Sequence, residues 1–184
     1  MPDQRFERLV DMFKPKSKVA ASISVFDIAG LVKGASTGAG LGNAFLSHIQ
    51  RVDGIYHMVR AFSNEEVIHE EGAVNQIRDM EIITDELFAK DLQLADRVKT
   101  DLEGPIKRFN DKKSKEEMEV LMKVYALIEA KKPIRDGEWN GKEVEFLNQH
   151  FFMTAKPVVY LVNIGRDEYV KKQNKWLPKI GQWI

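Results

Sequence analysis

The chain has 184 residues, enough for one sizeable core, and its 28 Lys and Arg balance 28 Asp and Glu, so the formal net charge is zero and no global field draws it to nucleic acid or an anionic membrane. It has no cysteine, which excludes disulfides and thiolate chemistry and fits a reducing compartment. No apolar run approaches the roughly 20 residues of a membrane span, and the polar opening Met1-Pro2-Asp3-Gln4-Arg5-Phe6 lacks the apolar stretch of a secretory signal; a soluble cytoplasmic protein with no sequence-specific DNA target is expected.

Lys14-Pro15-Lys16-Ser17-Lys18 is a short basic turn and reads as a solvated loop rather than a nucleic-acid patch. Next comes Val19 to Phe26, small and β-branched, which reads as a buried strand ending on Asp27. Asp27-Ile28-Ala29-Gly30 has the DxxG spacing. A carboxylate at a strand end can hold Mg²⁺ through water, and a glycine three residues on lets its N–H approach a terminal phosphate with no Cβ in the way. Alone this spacing is a weak signal and reads first as a strand followed by a tight turn. It is followed, however, by the glycine-rich run Ser36-Thr37-Gly38-Ala39-Gly40-Leu41-Gly42, which suits a switch segment ordered by nucleotide.

A second strand is expected over Gly54 to Phe62. Such short apolar runs suit a parallel sheet covered on both faces, with ligands beyond the carboxyl ends of its strands. From about Val74 to Phe109 apolar residues recur at helical spacing, with Gly104-Pro105 expected to kink or interrupt the helix. The polar run Asn110 to Glu117 reads as a wet loop, and Met118, Leu121, Tyr125 and Ile128 mark a second helix. The two helices read as an antiparallel hairpin whose apolar stripe is spent internally. A shorter helix over about Lys142 to His150 leads into a third strand, Pro157 to Val162, which ends on Asn163. Asp167 to Lys179 is expected to be helical.

Asp27 to Leu46, with Ser47-His48-Ile49 and the strand end Arg60-Ala61-Phe62, closely resembles switch II of the Obg-like/YchF family of P-loop nucleotide hydrolases. Ile77-Arg78-Asp79-Met80-Glu81-Ile82-Ile83 and Asn174-Lys175-Trp176-Leu177 resemble the same family, and the likeness runs from about Pro2 to the C-terminus. The resemblance implies an α/β fold: a partial P-loop NTPase (G-domain) parallel sheet with an inserted antiparallel helical hairpin, or coiled coil. Residues 1–73 would hold the switch region, 74–132 the insertion and 133–184 the remainder of the G-domain. It also implies hydrolysis of ATP or GTP with Mg²⁺, and association with the ribosome. Asp27 and Gly30 then become nucleotide-binding residues, with Asp27 on Mg²⁺ through water. Leu31 stands where Ras-like enzymes keep the glutamine that positions water. A leucine cannot hydrogen-bond water, so that role passes elsewhere, with Lys33 and His48 as candidates.

Two features depart from the family. No GxxxxGK[ST] occurs anywhere: Gly141-Lys142 is followed by Glu143 and has Asp136 at the position of the first glycine. The phosphate cradle is thus missing, and the chain is expected to be an internal fragment that binds no nucleotide and turns none over. At the base-reading strand end the family has Asn-x-x-Glu and related GTPases Asn-Lys-x-Asp, whereas this chain has Asn163-Ile164-Gly165-Arg166. Asn163 keeps its role by resemblance; Arg166 replaces the acid and favours ATP over GTP. The alternative is a non-catalytic module whose helical hairpin binds the ribosome or a protein.

Overall fold

The computed structural model describes residues 3–27, 49–64 and 75–184. In chain order the elements are α1 (Gln4–Phe13), β1 (Ile55–Ala61), α2 (Gln76–Phe109), α3 (Lys112–Glu129), a 3₁₀ turn (Ile134–Asp136), α4 (Gly141–His150), β2 (Val158–Ile164), α5 (Arg166–Lys171) and α6 (Leu177–Trp183). β1 and β2 pair in parallel, in a register running from Ile55 opposite Val158 to Ala61 opposite Ile164. A parallel pair needs a long crossover, and α2, α3, the 3₁₀ turn and α4 supply it.

Alternation along the strands decides what the sheet covers. His57, Val59 and Ala61 are buried. Val59 and Ala61, with Met80 and Ile180, form a core cluster against which Tyr160, Val162, Ile164, Trp176 and Trp183 pack. The opposite positions Tyr56, Met58, Val159 and Leu161 are all exposed. The expectation of a sheet covered on both faces is therefore corrected: among the described residues one face is packed and the other is open.

Val19 to Phe26 is not a strand. It lies in no helix or strand, is exposed throughout and pairs with neither β1 nor β2. A strand exists only through the N–H and C=O groups of a neighbour, and residue pattern alone cannot supply that neighbour. α1, by contrast, carries no apolar run long enough to announce itself. Asp3 starts it by accepting from the Arg5 N–H at 2.9 Å, and Lys14 ends it in the left-handed conformation.

α2 begins at Asn75, whose side chain accepts from the Arg78 N–H. It then runs uninterrupted through Gly104 and Pro105. Pro105 lacks the N–H that would bond the carbonyl of Asp101, but Asp101 is exposed, where solvent can satisfy a carbonyl. The expected interruption does not occur. The polar run is also shorter than expected: only Asn110 and Asp111 lie outside helix. The Asp111 carboxylate accepts from the Ser114 N–H at 2.7 Å and its hydroxyl at 2.6 Å, so α3 starts at Lys112.

α3 doubles back along α2, with Tyr125 donating to Asp96 at 2.7 Å and Lys131 reaching Asp85 at 2.9 Å. The apolar stripe of α2 is not spent on α3 alone, contrary to expectation. Its first turns lie on the sheet through Met80. Its far half, Phe88, Ala95, Val98 and Leu102, packs with Leu121, Val124 and Ile128 of α3 and with Ile134, Phe146, Leu147 and Phe152. α4 begins with a capping box in which Asn140 and Glu143 satisfy each other's N–H groups. Glu143 also pairs with Lys123 of α3.

Between α4 and β2 the chain is held by a buried carboxylate. Asp91 of α2 is fully buried and accepts from the N–H groups of Met153 and Thr154 at 2.7 and 2.8 Å, and from the Thr154 hydroxyl at 2.7 Å. Burial raises its pKa, and those three donors pull it back. Through this contact α2 sets where β2 starts.

Candidate functional site

The two strands end side by side at Ala61 and Ile164, and the residues around those ends form the candidate site. Asn163 is in register with Arg60. Both stand on the open face of the sheet, because the packed face is taken by Ala61, Val162 and Ile164. Asn163 is exposed, so its amide can offer a donor and an acceptor to a ligand beyond the strand end.

Arg60 was not a sequence candidate. Its guanidinium stacks over Phe62 at 4.7 Å and donates to the Asn64 carbonyl at 3.1 Å. Its own carbonyl accepts from Gln76 of α2 at 3.0 Å. The arginine braces the turn after β1, one position across from Asn163. The only signal for it in the sequence was its place in the strand end Arg60-Ala61-Phe62, which carried the family likeness but named no role.

After β2 the chain turns at Gly165 and enters α5 at Arg166. Arg166 and Asp167 are exposed. Glu168 reaches back to accept from the Gly165 N–H at 3.3 Å and from the Asn174 side-chain amide at 2.8 Å. The single helix expected over Asp167 to Lys179 is corrected to two. α5 stops at Lys172, which is left-handed at φ 53°. Asn174 then accepts from the N–H groups of Trp176 and Leu177, ahead of α6, whose first turn holds Pro178.

Asp27 is exposed, directly after Phe26. Among the described residues no hydrogen bond or ion pair joins it to Asn163 or Arg166. Gly30, Leu31, Lys33 and His48 lie outside the described residues. Among the described residues no three His, Asp or Glu side chains are grouped to hold a metal ion.

Comparison with known proteins bears on the same segments. Residues 10–91 match the family model of the 50S ribosome-binding GTPases. Obg-like ATPase 1 of Caenorhabditis elegans is 54% identical over 182 residues, covering 99% of this chain and 46% of that protein. The human Obg-like ATPase 1 is 50% identical over 186 residues, covering 100% of this chain and 47% of its own length. The solved structure of the Schizosaccharomyces pombe YchF GTPase superposes with a TM-score of 0.75 at 51% identity, over 100% of this chain and 50% of that one.

The chain belongs to the Obg-like ATPase/YchF family.

It spans about half the length of the curated relatives it matches. Its fold is accordingly that of part of a P-loop GTPase, a small parallel sheet with helices. Within that family fold, β2 and the turn into α5 place Asn163 and Arg166 at the carboxyl end of the sheet, where open α/β folds bind ligands. No described helix is long and apolar enough to cross a membrane.

Proposed function

We propose that this Obg-like chain carries the switch and base-reading segments of a cytoplasmic nucleotide hydrolase that takes ATP in preference to GTP. The observation that carries the reading is the state of the acids after Asn163. Guanine recognition calls for a carboxylate to accept from its N1–H and N2 amine, and Arg166, at the family's acidic position, has only donors. Glu168 is close by but spends its carboxylate on Gly165 and Asn174. Adenine offers an acceptor at N1 and makes no such demand. Asn163 can address N7 and the exocyclic group of either purine by turning its amide.

Phosphates and Mg²⁺ belong, on this reading, to a phosphate-binding segment joined to Asp27 and Gly30. Leu31 takes the water-positioning glutamine's place without its hydrogen bond. The 184-residue chain has no GxxxxGK[ST], and positioning is nearly all of phosphoryl-transfer catalysis. The chain alone is therefore expected to release no phosphate from ATP above background. Contact with the ribosome is assigned to the turn between α2 and α3. There Phe109 is 78% exposed, beside Arg108, Lys112 and Lys113.

The test is to join the chain to the phosphate-binding segment and measure ATP and GTP dissociation constants for the natural sequence, Arg166→Asp and Asp167→Asn. ATP should bind more tightly, and Arg166→Asp should move the ratio toward GTP by roughly ten- to hundredfold, the weight of a charge-assisted pair. Tighter GTP binding by the natural sequence, or a ratio that Arg166→Asp leaves unchanged, overturns the reading. A loss of GTP binding in Asp167→Asn would make Asp167 the acid instead.

A further inference from the structure

Asn174 belongs to the segment Asn174-Lys175-Trp176-Leu177, between α5 and α6. Its side chain uses its full hydrogen-bonding capacity, two donors and two acceptor sites. The amide nitrogen donates to the carbonyl of Ala61 at 2.8 Å and to Glu168 Oε2 at 2.8 Å. The amide oxygen accepts from the N–H groups of Trp176 at 2.9 Å and Leu177 at 3.2 Å. The orientation of the amide follows from these partners, since the reverse would set its NH₂ against two N–H donors.

These bonds close a ring around the end of β2. Ala61 pairs in register with Ile164. The next residue, Gly165, donates to Glu168, Glu168 accepts from Asn174, and Asn174 donates back to Ala61. Together these links tie the turn Asn163–Arg166 to the end of the neighbouring strand, and the residue that joins the two sides is Asn174. Its donor half holds the turn; its acceptor half only starts a helix.

We propose that Asn174 is a positioning residue for the base-reading turn Asn163–Arg166, acting through Glu168 and the Ala61 carbonyl. The inference rests on the nucleotide-hydrolase reading above and adds a residue to it. Asn174 touches no nucleotide. It fixes where the Asn163 amide stands, so its effect falls on the base and not on the phosphates.

The experiment uses the full-length protein and the variants Asn174→Ala, Asn174→Ser, Glu168→Ala and the double variant Asn174→Ser/Glu168→Ala. Serine can still accept from the Trp176 and Leu177 N–H groups but is too short to reach Ala61 and Glu168. Dissociation constants for ATP and for inorganic tripolyphosphate, and the melting temperature, are measured for each. Asn174→Ser should keep a near-natural melting temperature, bind ATP about tenfold more weakly and bind tripolyphosphate unchanged. The double variant should bind ATP no more weakly than the worse single variant, because both residues act on one turn. Natural ATP affinity in Asn174→Ser, or equal weakening of tripolyphosphate, overturns the proposal, as does an additive double variant. If the natural protein binds tripolyphosphate but gains nothing from the base, the base-reading assignment itself fails, which is a different outcome from variants that match a base-dependent natural protein.

Discussion

Asp91 shows how one side chain sets a relation between distant segments. Its carboxylate satisfies three donors, two from backbone and one from Thr154, across more than 60 positions of sequence. Asp91→Ala leaves all three donors buried and unpaired, so it should cost about 3 kcal/mol or more, read as a lower midpoint in urea unfolding. His57 acts on a different variable. It is buried beside Tyr160, with ring centroids 5.3 Å apart, and burial holds its pKa below the ordinary 6.5. A depressed folded-state pKa means that the unfolded chain binds the proton more readily. Its contribution is present above about pH 6.5 and is lost as pH falls through the lower folded value. The melting temperature should therefore drop between pH 7 and 5, and less steeply in His57→Phe. A residual slope is expected from His150, whose pKa burial also depresses. At the turn after β2 the Glu168 carboxylate is occupied by Gly165 and Asn174, while Arg166 is exposed.

At the level of elements, the long α2 tests how far local propensity governs. Gly104-Pro105 is a strong local signal for a break, yet the helix continues to Phe109. Leu102 and Ile106 on either side pack into the cluster shared with α3, and that burial outweighs the local cost. Nothing stands within 4 Å of where a Cβ on Gly104 would lie. Gly104→Ala should accordingly stabilise the protein by about 0.5–1 kcal/mol, seen as a raised melting temperature; a fall would mean that the helix is bent there in solution. The opposite case is the segment after β2, where a single helical pattern becomes α5 and α6. Lys172 in the left-handed region and the bonds of Asn174 to Trp176 and Leu177 outweigh the periodicity, and neither shows in an apolar count.

Across the whole molecule, the described core falls into three clusters strung along α2: one on the sheet, one at Leu87 with Ile49 and Met153, and one with α3 and α4. The sheet's second face carries Tyr56, Met58, Val159 and Leu161 at 41–59% exposure, in two in-register pairs. An apolar patch of this kind drives association in water. The isolated chain should show concentration-dependent self-association by sedimentation velocity, and Met58→Lys with Leu161→Lys should reduce it at little cost in melting temperature. Unchanged association would place the contact elsewhere. Much of the rest was legible beforehand. The apolar runs that became β1 and β2, the helix before β2, and Asn163 at a strand end all follow from period and from where a run stops, because those signals are local. Family membership rested on contiguous motifs and was legible for the same reason. What could not be read was every feature that depends on a partner far along the chain. Val19 to Phe26 has strand composition but pairs with neither strand, and only a neighbouring backbone can make a strand of it. Arg60 meets Asn163 only through the register of two strands about a hundred residues apart. Asn174 reaches Ala61 across 113 positions. Residue type and spacing decided which segments are apolar and where they end; tertiary hydrogen bonds decided which ends meet, because a bond's partner is chosen by position in space and not by position in sequence.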